Sequence, residues 1–174
     1  MSTMDETSRR TLDQALGEEF VADLGSLDLE ELRRRREFAE QEENLLSYER
    51  RLLQGRRDLL AFEVERRAGR EGRSLIEALP DILGGERHSG RPARQGVLPD
   101  PEMPDERRRK LDRILADDVI ARLGDVDDEE LQKSVADLEA AEREVSEQRH
   151  RLHAVIDALH EELAARYRSG AELG

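Results

Sequence analysis

The stretch from Glu43 to Asp58 reads ENLLSYERRLLQGRRD, and the stretch from Glu142 to Asp157 reads EREVSEQRHRLHAVID. Both follow one spacing, E-x3-S-x2-R-x3-Q/H-x3-D. Glu43, Ser47, Arg50, Gln54 and Asp58 carry the first copy; Glu142, Ser146, Arg149, His153 and Asp157 carry the second. Around each copy apolar residues recur every seven positions: Leu46, Leu53 and Leu60, then Val145, Leu152 and Leu159. Such a repeat, set in Pro-free sequence rich in Glu, Arg and Leu, predicts a helix packed along a seam against another helix. At about 100° per residue the five motif positions of each copy share an arc of about 80°. Each copy is therefore a polar stripe that flanks an apolar one.

Outward from these stripes the helix limits can be read. Asp28 has Glu31 three positions on, and Asp127 has Glu130, both resembling capping boxes. A first long helix is expected from Asp28 to about Gly72, and a second from about Asp128 to Tyr167. A short helix is expected from Thr11 to Leu24, ended by Gly25 and Ser26. Another runs from Ser74 to Leu83, interrupted at Pro80, and a third from Asp105 to Leu123, closed by Gly124. Residues 84–104 hold Pro92, Pro99, Pro101 and Pro104 among four glycines and predict a flexible linker. Residues 1–11 read as a disordered leader. The chain thus divides into that leader, a first unit over 12–83, the linker and a second unit over 105–174. A shift of 99 places Ala22-Asp23-Leu24-Gly25 on Ala121-Arg122-Leu123-Gly124, so the second unit repeats the first. The expected fold is all-α, an antiparallel two-helix coiled-coil hairpin with short flanking helices. With Arg50 and Arg149 opposite each other, residue 28 faces 171 and residue 71 faces 128.

Composition narrows the function. Of 174 residues 41% are charged and 3% aromatic, with no Cys and no Trp. Disulfides, thiolate nucleophiles and Cys-based zinc sites are excluded, and a cytoplasmic location is expected. No apolar run is long enough to span a bilayer. A net charge of −13 argues against direct DNA binding and against an anionic membrane. Only Leu32 to Arg73 is net basic, with 12 basic residues against 9 acidic ones, so a small anion finds its best reception on the first long helix.

The stripes carry the chemistry. Carboxylates can accept from the N1 and N2 donors of guanine, and Arg can donate to O6 and N7 or to a phosphate. Ser and Gln donate or accept. Packing has no need of a twice-repeated order of acid, hydroxyl, cation, amide and acid, and that order suits a guanine nucleotide, the alternative being solvated helix faces with intrahelical pairs.

The duplicated motif resembles that of the RsiG family, cyclic-di-GMP-responsive anti-sigma factors of sporulating filamentous bacteria. The resemblance covers both long helices. It implies that cyclic-di-GMP binds as a regulatory ligand, a nucleotide dimer held between the two motif copies. It also implies that the loaded protein sequesters a WhiG-type sigma factor from RNA polymerase and represses sporulation genes. The ligand contacts then fall to Glu43, Ser47, Arg50, Gln54, Asp58, Glu142, Ser146, Arg149 and Asp157. His153 stands where the family motif has Gln; an imidazole still donates and accepts, and unlike Gln it changes charge near neutral pH.

Other readings compete. His153, Asp157 and His160 share a helix face, as metal ligands do, yet the first long helix offers no His to complete a site. No catalytic arrangement is recoverable, so an enzyme is not expected. The basic runs Arg33–Arg36 and Arg107–Lys110 read as solvated faces. A structural coiled-coil adaptor without a small-molecule ligand is the alternative. Since one chain carries both motif copies, a monomer is expected before a partner binds.

Overall fold

A computed structural model describes residues 5–83, 107–109, 111–112 and 119–171, and every regular element among them is helical. Helix α1 spans Asp5–Leu16, α2 Glu18–Val21, α3 Leu29–Arg67, α4 Leu75–Leu83 and α5 Asp128–Ala171, with a 3-10 turn at Leu24–Ser26 between α2 and α3. The linker expected over 84–104 lies outside the described residues, as do residues 105–106, 110 and 113–118 of the helix expected after it.

Both long helices start where an aspartate caps them. Asp28 accepts from the Glu31 amide at 2.7 Å, and Asp127 accepts from the Glu130 amide at 2.8 Å. Each cap satisfies an N–H that the first helical turn leaves without a partner, an effect of about 1 kcal/mol. Helix α3 stops at Arg67, five residues short of the expected Gly72. Gly69 takes the left-handed conformation at φ 73°, its N–H bonds to the Arg66 carbonyl, and the Arg70 N–H reaches back to the Glu65 carbonyl. This paired C-terminal cap closes the helix at the first glycine that can adopt it. Helix α5 runs on past Tyr167 to Ala171.

Three short-element expectations are corrected. First, α1 begins at Asp5 rather than after a disordered leader, because no Pro or Gly interrupts residues 5–16. Gly17 then splits off α2 with an extended backbone at φ −69°, ψ 142°. Second, α4 continues through Pro80. Ser74 and Glu77 form a reciprocal capping box at its start, with the Ser74 amide donating to Glu77 at 2.7 Å and the Glu77 amide to Ser74 Oγ at 3.3 Å. Proline removes one helical hydrogen bond, and the cap offsets that loss. Third, residues 119–125 are turns, so no helix reaches Leu123; residues 107–109 and 111–112 are helical.

Helices α3 and α5 lie side by side and antiparallel. Arg33 of α3 meets Tyr167 of α5, Glu40 meets His160, Arg57 meets Glu142, and Arg67 meets Asp128. Their buried seam is a strict heptad ladder. Leu32, Ala39, Leu46, Leu53 and Leu60 are at most 1% exposed, and Leu131, Leu138, Val145, Leu152 and Leu159 face them from α5. Full burial of a leucine stabilises by about 1.5–3 kcal/mol, so this ladder is the main source of cohesion between the helices.

Matching clamps join the two ends. Arg67 donates to the carbonyls of Leu123 and Val126, in the loop before α5, at 2.5 and 2.8 Å. Arg166 donates to the carbonyls of Gly25 and Leu27, in the loop before α3, at 2.6 and 3.1 Å. Each arginine is aimed by a glutamate one turn earlier, Glu63 and Glu162 respectively. The two clamps are related by the same shift of 99 that relates the motif copies.

The two sides of the seam differ. On α3, Glu42 and Glu63 lie buried on the side away from the motif stripe. There the described segment around Arg107 covers the helix pair: Arg107 is 8% exposed, bonds Glu42 at 2.8 Å and also bonds Glu49, while Leu111 is buried beside it. Arg107 is therefore not part of a solvated basic run, because it is the counter-charge for two seam glutamates.

Candidate functional site

The antiparallel packing turns the motif stripes of α3 and α5 toward each other on the side of the seam away from Arg107. Their charged groups interlock across the interface in two matching halves. In one half Glu43 Oε1 accepts from Arg149 Nε at 2.7 Å, lies 3.0 Å from His153 Nε2, and takes a third bond from Ser47 Oγ at 2.8 Å on its own helix. In the other half Glu142 accepts from Arg57 and pairs with Arg50 at 3.7 Å. Arg50 also donates to Gln54 Oε1 at 3.2 Å, and Arg57 donates to Asp58 Oδ1 at 2.6 Å.

Geometry therefore brings together Glu43, Ser47, Arg149 and His153 in one half, and Arg50, Gln54, Asp58 and Glu142 in the other. Ser146 and Asp157 lie on the same face of α5. Asp157 lines an open cleft of about 470 Å³ with Glu40, Glu43, Asn44, His153 and His160. His153, Asp157 and His160 thus share this cleft, and the two histidines pair across the helices, His153 with Glu43 at 3.0 Å and His160 with Glu40 at 3.2 Å. Among the described residues no group of His, Asp or Glu is placed to hold a metal ion.

Electrostatics follow the geometry. Burial raises the Glu43 carboxyl, but hydrogen bonds from His153, Arg149 and Ser47 outweigh it and hold the group below its ordinary value. Burial likewise works against the charge of Arg57, and Asp58, Glu142 and Glu139 overcome it, holding the guanidinium above its ordinary value. Both groups are fixed in the charged state, so the site presents carboxylates and guanidinium groups in alternation. An arrangement of this kind can exchange its internal ion pairs for a ligand that brings both acceptors and donors.

Sequence comparison decides the family: the RsiG-like model matches residues 18–83 and 117–173. The chain belongs to the RsiG-like family. No curated protein matches it. The matched segments hold α2, the 3-10 turn, α3 and α4 on one side and α5 on the other, and hence both motif copies and both arginine clamps. RsiG-like proteins are regulatory anti-sigma factors, so a sigma factor is the class of partner. Among the described residues no helix is long and apolar enough to cross a membrane.

Three residues at or near the site escaped the motif. Arg57 falls outside its spacing, and the Glu40–His160 pair extends it by a turn. The only signal for Arg57 was its position, one residue before Asp58 and seven after Arg50.

Proposed function

We propose that this RsiG-like chain binds cyclic-di-GMP on the paired stripes of α3 and α5 and, once loaded, sequesters a WhiG-type sigma factor from RNA polymerase, repressing sporulation genes. The helix pair is read as a two-helix coiled-coil hairpin, present as a monomer until the sigma factor binds. The ligand is a dimer of the nucleotide lying across both motif copies. Arg50 and Arg149 take phosphates or guanine O6 and N7, while Glu43, Glu142, Asp58 and Asp157 accept from guanine N1 and N2. Ser47, Ser146, Gln54 and His153 complete the polar contacts.

The observation that carries this reading is the reciprocal pairing of Glu43 with Arg149 and of Glu142 with Arg50. Each motif copy supplies the counter-charge of the other, so the two copies make one site. A ligand engaging both would hold the helices in a fixed surface for the sigma factor.

Calorimetric titration of cyclic-di-GMP, with and without the sigma factor, tests the reading. The expected result is two nucleotides per chain and sigma capture only in their presence. Sigma capture that is identical without nucleotide would leave an adaptor with no small-molecule ligand.

A further inference from the structure

The motif alone is short of positive charge. It places Glu43, Asp58, Glu142 and Asp157 around a ligand dimer in which each nucleotide is itself a dianion, with Arg50 and Arg149 as its permanent cations. We infer that Arg57, which lies outside the motif, is a phosphate-binding residue of the nucleotide site and makes its two halves unequal. This rests on the reading of the stripes as a cyclic-di-GMP site.

Position supports it. Arg57 reaches across from α3 to Glu142 on α5 and at the same time holds Asp58 through two nitrogens, at 3.0 and 2.6 Å. Glu142 and Asp58 are both motif residues, so Arg57 already touches the site at two of its ten positions. Its side chain remains 25% exposed, within reach of a ligand laid across the stripes. When Glu142 and Asp58 turn to guanine donors, the guanidinium they released is left beside the nucleotide, where its planar fork fits a phosphodiester. A lost protein carboxylate is replaced by a ligand phosphate, and the charge stays compensated throughout.

The repeat shows that this cation serves more than packing. A shift of 99 places Ile156 where Arg57 stands, so the helix interface is satisfied there by an apolar residue. In the half built on Glu43, the second cross-helix partner is instead His153. One half therefore has two permanent cations, Arg50 and Arg57, and the other has Arg149 and an imidazole. The half containing Arg57 thus holds its nucleotide phosphate with one more permanent charge than the other.

The experiment measures cyclic-di-GMP affinity for the full chain as a function of salt, comparing wild type with Arg57→Gln, Arg57→Lys and Arg70→Gln. Arg70 pairs with Glu65 beyond the end of α3, so its variant makes the same change in net charge away from the site. Expected are at least a tenfold loss of affinity and a shallower dependence on salt in Arg57→Gln, partial recovery in Arg57→Lys, and no change in Arg70→Gln. Melting temperatures identify any loss due to unfolding; the Lys variant keeps the charge, and the salt dependence reports it independently of stability. Wild-type affinity and salt slope in Arg57→Gln overturn the inference and leave the nucleotide reading standing. Wild-type protein that fails to bind nucleotide overturns both.

Discussion

Replacing Arg107 with Ala removes the cation that lies between Glu42 and Glu49. The side chains of Arg107, Glu42 and Glu49 are 8%, 7% and 12% exposed, so water cannot take its place. Removing one partner of a buried ion pair costs about 3–5 kcal/mol, because a buried charge is left uncompensated. Glu49, the more exposed acid, recovers some hydration, which puts the expected loss near the lower end, about 3 kcal/mol. For a chain of this length that lowers the melting temperature by roughly 6–12 °C. The repeat supplies a designed rescue. In α5 the positions matching Glu42 and Glu49 are Ala141 and Gln148, which sit on the same kind of seam without a counter-ion. The triple variant Arg107→Ala, Glu42→Ala, Glu49→Gln should therefore recover most of the loss, since uncharged seams often match or exceed ion-paired ones. Urea unfolding followed by far-UV circular dichroism gives both values, with the denaturant slope as a check that the unfolding transition is unchanged. If Arg107→Ala stays within about 0.5 kcal/mol of wild type, as surface substitutions do, Arg107 is not the buried counter-charge described here.

Four further outcomes are expected. Arg50→Ala and Arg149→Ala should each weaken cyclic-di-GMP binding by about tenfold or more and lose sigma capture at limiting nucleotide, because charge-assisted bonds contribute about 1.5–3 kcal/mol; normal capture by either variant at limiting nucleotide would refute the role of the ligand. Sedimentation equilibrium without ligand or partner should show a monomer, and self-association tighter than micromolar would count against one chain carrying the complete site. His153→Gln, which restores the residue of the family motif, should retain binding, with His150→Gln and His160→Gln as controls; a loss of about tenfold in His153→Gln alone would show that the site depends on the imidazole contact with Glu43. The Glu43 carboxyl is held below its ordinary value of 4.5, so its contribution to stability is present above that pH and lost as pH falls through the lowered value; the stability gap between wild type and Glu43→Gln should close on acidification, and a gap independent of pH would contradict the cross-helix pairing.

The seam and the caps were legible because each follows from a local rule. Heptad spacing marked Leu46, Leu53 and Leu60, and all three are at most 1% exposed. Asp28 and Asp127 three residues before a glutamate marked two helix starts. The end of α3 was harder to read, because Gly69 and Gly72 both qualify as breakers and only the hydrogen bonds of the finished cap choose between them. Arg107 was illegible for a different reason. Its burial depends on a contact 65 residues away, with Glu42, and a run of four basic residues looks solvated from any local window.

The polar repeat teaches the opposite lesson about inference from duplication. Glu63 with Arg67 and Glu162 with Arg166 form a second duplicated polar motif, as regular as the stripes, and it clamps loop carbonyls with no call for a ligand. Repetition of polar residues is therefore what any pseudo-symmetric chain produces wherever its two halves touch, and it does not by itself mark a binding site. What separates the stripes from the clamps is the kind of acceptor. The clamp arginines end on backbone carbonyls, which no ligand can displace without undoing the loop. Across the stripes Arg149 and Arg57 end on the Glu43 and Glu142 carboxylates, whose side chains are free to rotate to another donor. An ion pair that can be exchanged beside an open cleft is the physical signature of a site, and the Glu43 carboxylate, paired with Arg149 and His153 and lining the cleft with Asp157, carries it.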